Sequence, residues 1–280
     1  MEPTLVSLPP PLEPSGNWLT RSLVAVLKQR RLPTRVARAL DRALIVFGAS
    51  TKTVRAAGLQ LRVRRLTADD FFVREVFVQR QYNPDGFEIN PTDQIIDVGG
   101  NVGAFAIAAA IQACRGRVIT VEPVQENFSL LGRNIRLNGL DNIVPLRAAV
   151  VARSCPTTVY LSPEGTGSHS VLADLSGPPR GEQQVDGVTL PDLFERYRLD
   201  VCHFLKLDCE GSEYDILYGL PASYFPRIQK LAIEYHTRPG ESKRNQSDGL
   251  VSHLQNAGYR IEAYTDVVDT NRGMIFARRC

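Results

Sequence analysis

The chain has 280 residues, 43% hydrophobic and 22% charged, with a formal net charge of +3. That composition excludes a disordered or fibrous protein and supplies apolar material for one large globular domain plus an appendage. No run reaches the roughly 18 uninterrupted apolar residues of a membrane-spanning helix, and the opening MEPTLVSLPPPLEPSG lacks the basic-then-apolar layout of a secretory signal, so a cytoplasmic protein is expected. Five cysteines (Cys114, Cys155, Cys202, Cys209, Cys280) are odd in number and include no CxxC pair, which argues against a disulfide framework and against a thiolate zinc site.

Residues 1–16 hold five prolines without periodicity and read as a disordered tail. Residues 17–91 are expected to form a basic extension. Within 21–65, twelve Lys and Arg stand against one acid, Asp41, so this stretch is near +11 and the remainder of the chain near −8. Leu23, Val26 and Leu27, then Val36, Leu40 and Leu44, recur at helical spacing, and Pro33 divides two short amphipathic helices. Such a pair suits a lid over a substrate or peripheral contact with an anionic membrane surface, and a plain solvated face satisfies it equally. From Leu59 to Gln81 the β-branched and aromatic content rises, which predicts a strand or two and a short helix before the turn signal Asn83-Pro84-Asp85-Gly86.

From residue 92 onward the texture changes. QIIDV, RVITVE, NIVPLRAAV, CHFLKLD, IQKLAIEYH, YRIEAYT and GMIFARR are the strand candidates, and VGAFAIAAAIQAC and VQENFSLLGRNIRLN read as helices between the early ones. Continuous apolar strands with crossover helices predict an α/β doubly wound, mostly parallel sheet over 92–280. The last two strands lack room for a helix between them and are expected as an antiparallel edge hairpin.

Ile95-Ile96-Asp97-Val98-Gly99-Gly100-Asn101-Val102-Gly103 ends a buried strand on a glycine bend directly before a helix, which lets a ligand approach the backbone. A nicotinamide fingerprint fails, because Asn101 and Ala104 stand where two of its three glycines belong. Glu122 closes the second strand, where a carboxylate can accept from both hydroxyls of a ribose. Bend and acid together indicate a nucleoside-like ligand, although a turn and an acid at a strand end also occur in α/β proteins that bind nothing there. No GxxxxGK[ST] phosphate loop and no GxSxG elbow is present.

DVGGNVG, then RVITVEPVQENFSLLGRNIRLNGLDNI, then HFLKLDCEGSEYDILYGL with LAIEYH, resembles the FkbM family of class I S-adenosylmethionine-dependent methyltransferases over roughly residues 92–262, with LKLDCEG the most specific part. Gly100 stands where the family often has Ala, and Cys209 where it often has Val or another apolar residue. The resemblance implies a Rossmann-like seven-stranded sheet, S-adenosylmethionine as cofactor and methyl transfer to a hydroxyl of a small molecule or of a sugar- or lipid-linked acceptor. On the matching positions, Gly99, Gly100, Asn101 and Gly103 would pass beside the methionine portion, and Asp97 would receive its ammonium directly or through water. Glu122 would hold the ribose, and Pro123 with Ala149 would border the adenine.

At the ends of the fourth and fifth strands the chain offers Lys206, Asp208, Glu210, Glu213, Glu234 and His236. Strand alternation puts Lys206 and Asp208 on one face, so a lysine–carboxylate pair is expected. Asp208 is assigned as the group near both methyl donor and acceptor, with His236 or Glu210 as general base, since an unperturbed imidazole titrates near working pH. Structural roles stay open for Lys206, as an ion-pair partner, and for His236, as a residue closing its strand. Glu213 reads as a capping acid behind Ser212. A Mg²⁺ ion on Asp208, Glu234 and His236 is the alternative; Mg²⁺ prefers oxygen ligands, which makes histidine a poor third partner and leaves the leading reading without a metal. A cofactor-binding protein without catalysis is a second class of function. Nucleic acid is disfavoured as a partner, because no stacking platform or amine-methylation motif accompanies the basic stretch. Residues 165–170 (GTGSHS) read as a hairpin tip that reaches the acceptor pocket or as a surface loop, Ser176 begins a turn cluster, and Trp18 is a candidate anchor for the first helix or an interface residue.

Overall fold

In the computed structural model, which describes residues 34–163, 167–173, 178–236, 247–265 and 272–280, a seven-stranded sheet carries the C-terminal two thirds of the chain. The tail, the helix expected before Pro33, Trp18, Gly165, Thr166 and Ser176 lie outside the described residues. The extension comprises α1 (Thr34–Val46), the hairpin β1 (Thr51–Ala56) and β2 (Leu59–Arg64), and α2 (Asp69–Phe77). Ala57 and Gly58 both take positive φ, the turn geometry whose twist matches that of the flanking strands. The main sheet follows with β3 (Gln94–Val98), α3 (Ala104–Gln112), β4 (Arg117–Val121), α4 (Gln125–Leu137) and β5 (Ile143–Leu146). After β6 (Ala149–Val150), β7 (Pro156–Leu161), β8 (Gly181–Val188) and α5 (Leu190–Arg196) come β9 (Phe204–Leu207), α6 (Glu213–Gly219), β10 (Lys230–His236), α7 (Ser247–Asn256), β11 (Tyr259–Thr265) and β12 (Arg272–Arg279).

The order is β11-β12-β10-β9-β3-β4-β5. Strands β5, β4, β3, β9 and β10 run parallel, and β12 lies antiparallel between β10 and β11. The expected hairpin is present, with its second strand inserted inside rather than at the edge. The central strands are mostly apolar because helices cover both faces: Ile95, Ile96, Ile119, Phe204, Leu205 and Leu207 are fully buried. The sequence stretch 142–150, expected as one strand, divides at Arg147-Ala148. Its first half is the sheet edge, where Pro145 can dispense with a donor, and Ala149–Val150 joins β8 and β7 in a separate three-stranded sheet.

The extension shares a core with the sheet. Leu61, Val63, Val73, Val76 and Tyr82 pack in one cluster with Ile95, Phe105 and Phe204, each such side chain contributing about 1.5–3 kcal/mol on burial. The free edge of β2 is closed by two amides one turn apart on α4: Asn134 and Asn138 each accept from and donate to the backbone, of Arg62 and Gln60 respectively. In α1, Asp41 pairs with Arg65 and Lys52, Leu44 is buried, and Val36, Val46 and Phe47 stay exposed. Among the described residues no helix is long and apolar enough to cross a membrane. All five cysteines are free.

Candidate active site

Parallel strands bring their carboxyl ends to one edge of the sheet, and there the β3–α3 bend meets the ends of β4 and β9. Gly99 has φ +81°, and a Cβ on it would collide with the backbone carbonyl of Asp208, so only glycine lets the bend lie against the end of β9. The Gly99 and Gly100 amides both donate to Val121 O at 3.0 Å. A Cβ at Gly100 would strike the Thr120 hydroxyl, which donates to Asp97 Oδ2 at 2.8 Å. Glycine at position 100 therefore makes room for a donor to a buried acid.

A crevice opens above this bend. Gly99, Asn101, Glu122, Pro123, Ala149, Asp208 and Glu210 line it, whereas Gly100 and Gly103 shape the bend behind it. Glu122 Oε2 accepts from Asn101 N at 2.8 Å, and Oε1 accepts from Val124 N at 2.8 Å and Asn127 Nδ2 at 3.3 Å. Burial pushes its carboxyl up to about 7 in spite of these donors. Asn101, itself at φ +47°, keeps Oδ1 buried without a hydrogen-bond partner among the described residues.

Asp97 lies beneath the bend. It is fully buried, with Oδ1 3.3 Å from Lys206 Nζ and Oδ2 accepting from Thr120, so it supports the bend from below. Lys206 is the hub between bend and strand end: its Nζ donates to Gly99 O at 2.8 Å and Val98 O at 3.3 Å and stands 3.4 Å from Asp208 Oδ2. Burial alone would strip its proton, but Asp97 and Asp208 more than offset this and keep the ammonium charged.

His236 requires a correction. Its Nε2 faces Glu210 Oε2 and its Nδ1 faces Glu213 Oε1, each at 3.4 Å. Burial opposes its charge, yet Glu210, Glu213 and Asp208 hold the ring protonated, up to about 10. It is an imidazolium at neutral pH and lacks the free lone pair a general base needs. Glu213 is also more than a capping acid: fully buried, its Oε1 accepts from Cys209 N and Gly211 N, while the Ser212 side chain makes no cap. Glu210 (φ +52°) and Gly211 (φ +94°) make the tight turn that permits this. Burial raises the Glu210 carboxyl, and it keeps the Cys209 thiol neutral, as the usual apolar residue would be.

Residues from the extension complete the site. Tyr82 Oη lies 2.9 Å from Asp208 Oδ2 and 2.8 Å from Glu234 Oε2, and Gln81 Nε2 donates to the same Glu234 oxygen at 2.9 Å. Lys206 Nζ sits 5.0 Å from the centroid of the Tyr82 ring, which also stacks edge-on against Phe105 of α3. Burial, then Asp208 and Glu234, keep the phenol protonated, and burial raises Glu234. At the other end, Arg64 makes a forked pair with Asp69 and donates to Asn127 Oδ1 at 2.8 Å, which turns the Asn127 amide nitrogen toward Glu122. The sequence offered only the rise in aromatic content before Asn83 as a pointer to Tyr82, and nothing that linked Arg64 to the crevice.

The chemistry of the crevice suits an adenosyl sulfonium. Glu122 offers acceptors to a diol, Val124, Ala149, Val159 and Val171 wall a flat base, and the orphaned Asn101 oxygen awaits a donor such as an ammonium. The three donor atoms on Asp208, Glu234 and His236 that come within 4.8 Å of one another do not suit Mg²⁺. The histidine is committed to two carboxylates, Glu234 Oε2 takes two donors, and Lys206 already supplies the positive charge beside Asp208.

Residues 97–261 match the Methyltransferase FkbM domain. The chain is 27% identical over 222 residues to the 31-O-demethyl-FK506 methyltransferase FkbM of Streptomyces tacrolimicus, covering 70% of this chain and 84% of that protein. It is 23% identical over 247 residues to the AMB antimetabolite synthetase AmbE of Pseudomonas aeruginosa; 76% of this chain is aligned but only 11% of the relative. Among solved structures, the FkbM methyltransferase of Methylobacillus flagellatus KT aligns with 71% of this chain and 47% of its own at 19% identity, with a TM-score of 0.48, a likeness too loose to argue from. Because the domain match spans more than half of the chain and contains the bend, Glu122 and the charged strand ends, the chain belongs to the FkbM family of S-adenosylmethionine-dependent methyltransferases.

Proposed function

We propose that the chain transfers a methyl group to a hydroxyl oxygen of a small-molecule, sugar or lipid-linked acceptor. The observation that carries this is the placement of two crevice-lining carboxylates, Asp208 and Glu210, beside buried cations. When bound, S-adenosylmethionine supplies an electrophilic methyl on a sulfonium. A neutral alcohol attacking it must lose its proton, so it needs a base at its side and an orientation within about 3–3.5 Å of the methyl carbon. The Streptomyces relative is named for a 31-O-demethyl substrate, an oxygen acceptor, which supports the same reading.

In this reading Asp208 accepts the acceptor's hydroxyl hydrogen bond and aligns its oxygen. Lys206 and Tyr82 fix that carboxylate from behind. Glu210 in its ionised form takes the proton: burial raises its carboxyl to about 8, so it titrates near working pH, and His236, as an imidazolium, orients it. Glu122 holds the ribose. The extension, residues 34–91 of the described chain, is a working part of the domain because it positions Asp208 and Asn127.

Incubating the chain with methyl-labelled cofactor and a panel of sugars, glycolipids and hydroxylated metabolites tests the reaction. A labelled methyl ether is the expected product; label found on nitrogen, carbon or RNA instead would overturn the hydroxyl assignment.

A further inference from the structure

The connection between β7 and β8 carries a donor with no acceptor. Its described residues 167–173 lie across the crevice: a Cβ on Gly167 would collide with the Phe72 ring of α2, and Ser170 Oγ donates to Glu210 O at 2.6 Å. The segment thus runs from the extension to the turn after β9, and Gly167, His169 and Val171 line the crevice from it.

The protonation of His169 follows from its surroundings. Its Nδ1 stands 3.0 Å from the backbone nitrogen of Ser162, which can only donate, so Nδ1 is the acceptor and the proton resides on Nε2. That Nε2 is buried and has no hydrogen-bond partner among the described residues. Burial, then the nearby Arg180 and Arg64, push the ring's pKa down to about 4, so it stays neutral and the N–H stays in place across the physiological range. A buried N–H left unpaired forfeits its hydration, and folded proteins rarely leave one without a protein, water or ligand partner. The wall it shares is the apolar part of the crevice, Val124, Ala149, Val159 and Val171, next to Glu122.

We propose that His169 Nε2–H donates to a ring nitrogen of the cofactor's adenine and so selects the base. A ligand whose diol is held by Glu122 extends its base along the valine wall, and adenine presents three ring acceptors there, N1, N3 and N7, any one of which matches a neutral imidazole donor. The proposal rests on the cofactor reading, and its test separates the two. S-adenosylhomocysteine and its 1-, 3- and 7-deaza analogues are titrated calorimetrically into the full chain, into H169F and into H169Q, which keeps a donor near the Nε2 position.

The expected result is about tenfold weaker binding of S-adenosylhomocysteine to H169F, from the loss of one buried hydrogen bond, with most of the affinity restored in H169Q. One deaza analogue loses about tenfold on the wild-type chain and nothing further on H169F. The scan on the wild-type chain requires no variant to fold. No loss with any analogue, or H169F binding within twofold of wild type, overturns the assignment of His169 and leaves the cofactor reading standing. Absence of binding to the wild-type chain overturns both.

Discussion

At the end of β4 a single carboxylate, Glu122, sits among valines and backbone amides, whereas at the ends of β9 and β10 Asp208, Glu210, Glu213 and Glu234 crowd around Lys206 and His236. The first region recognises by shape and by donors already in place, and its one acid is held nearly neutral by burial. The second buries Glu210 and Glu234, whose carboxyls burial raises in the same way, but sets an ammonium and an imidazolium among them, the kind of neighbours that proton transfer uses. On the proposed function the contrast separates binding from chemistry along one sheet edge: losses at the first region should appear in cofactor affinity, and losses at the second in turnover.

The sharpest way to break that division is Asp208→Asn. Labelled methyl transfer should fall by about 10³-fold, while calorimetric affinity for S-adenosylhomocysteine stays within about fivefold, less than the loss of one charge-assisted hydrogen bond. Equal losses in both measurements would erase the distinction.

Glu122→Gln makes the converse case. Removing a charged acceptor for the ribose should weaken S-adenosylhomocysteine binding by about 10–100-fold. The wild-type protein should also show a pH signature. Ribose hydroxyls donate to the carboxylate form and lower its pKa on binding, so affinity is full above about 7 and falls roughly tenfold per unit below it. The Gln variant should show no such slope, and a slope that survives the substitution would assign the titration to another group.

Tyr82→Phe probes the seam between extension and domain. Loss of the hydroxyl deprives Asp208 and Glu234 of a shared donor. Turnover should drop about tenfold and thermal unfolding should show about 1–3 kcal/mol less stability. Because that donor stabilises the Glu234 carboxylate form, its removal raises the Glu234 pKa and should move the acid limb of the rate profile to higher pH; a purely structural tyrosine would leave the limb where it is. The smallest effect is expected from exhaustive chelation, which should leave methyl transfer unchanged, and a loss restored by Mg²⁺ would reinstate the metal reading of Asp208, Glu234 and His236.

Much of the sheet was legible because its strands are buried on both faces and carry short, largely apolar runs, as in QIIDV and HFLKL. The β6–β8–β7 sheet was not. GEQQVDGV in β8 alternates exposed polar with buried residues and has no strong β-formers at its start, so it reads as loop. In the site, Glu122 was visible as the acid closing a strand and His169 only as part of a stretch that read as a pocket-reaching tip or a loop, but Asn127 and Tyr82 were not, since a lone amide or phenol carries no periodic signal.

The sequence by itself determined that Gly99, Glu122, Asp208 and His236 share one edge, because parallel strands joined by right-handed crossovers must present their carboxyl ends together. Tertiary structure alone decided what state those groups are in. His236 is a cation because two carboxylates face its ring, and Asp208 is pinned because a tyrosine 126 residues away in the chain reaches it. Proton affinity depends on distance through space and on lost water, and neither is written along the chain.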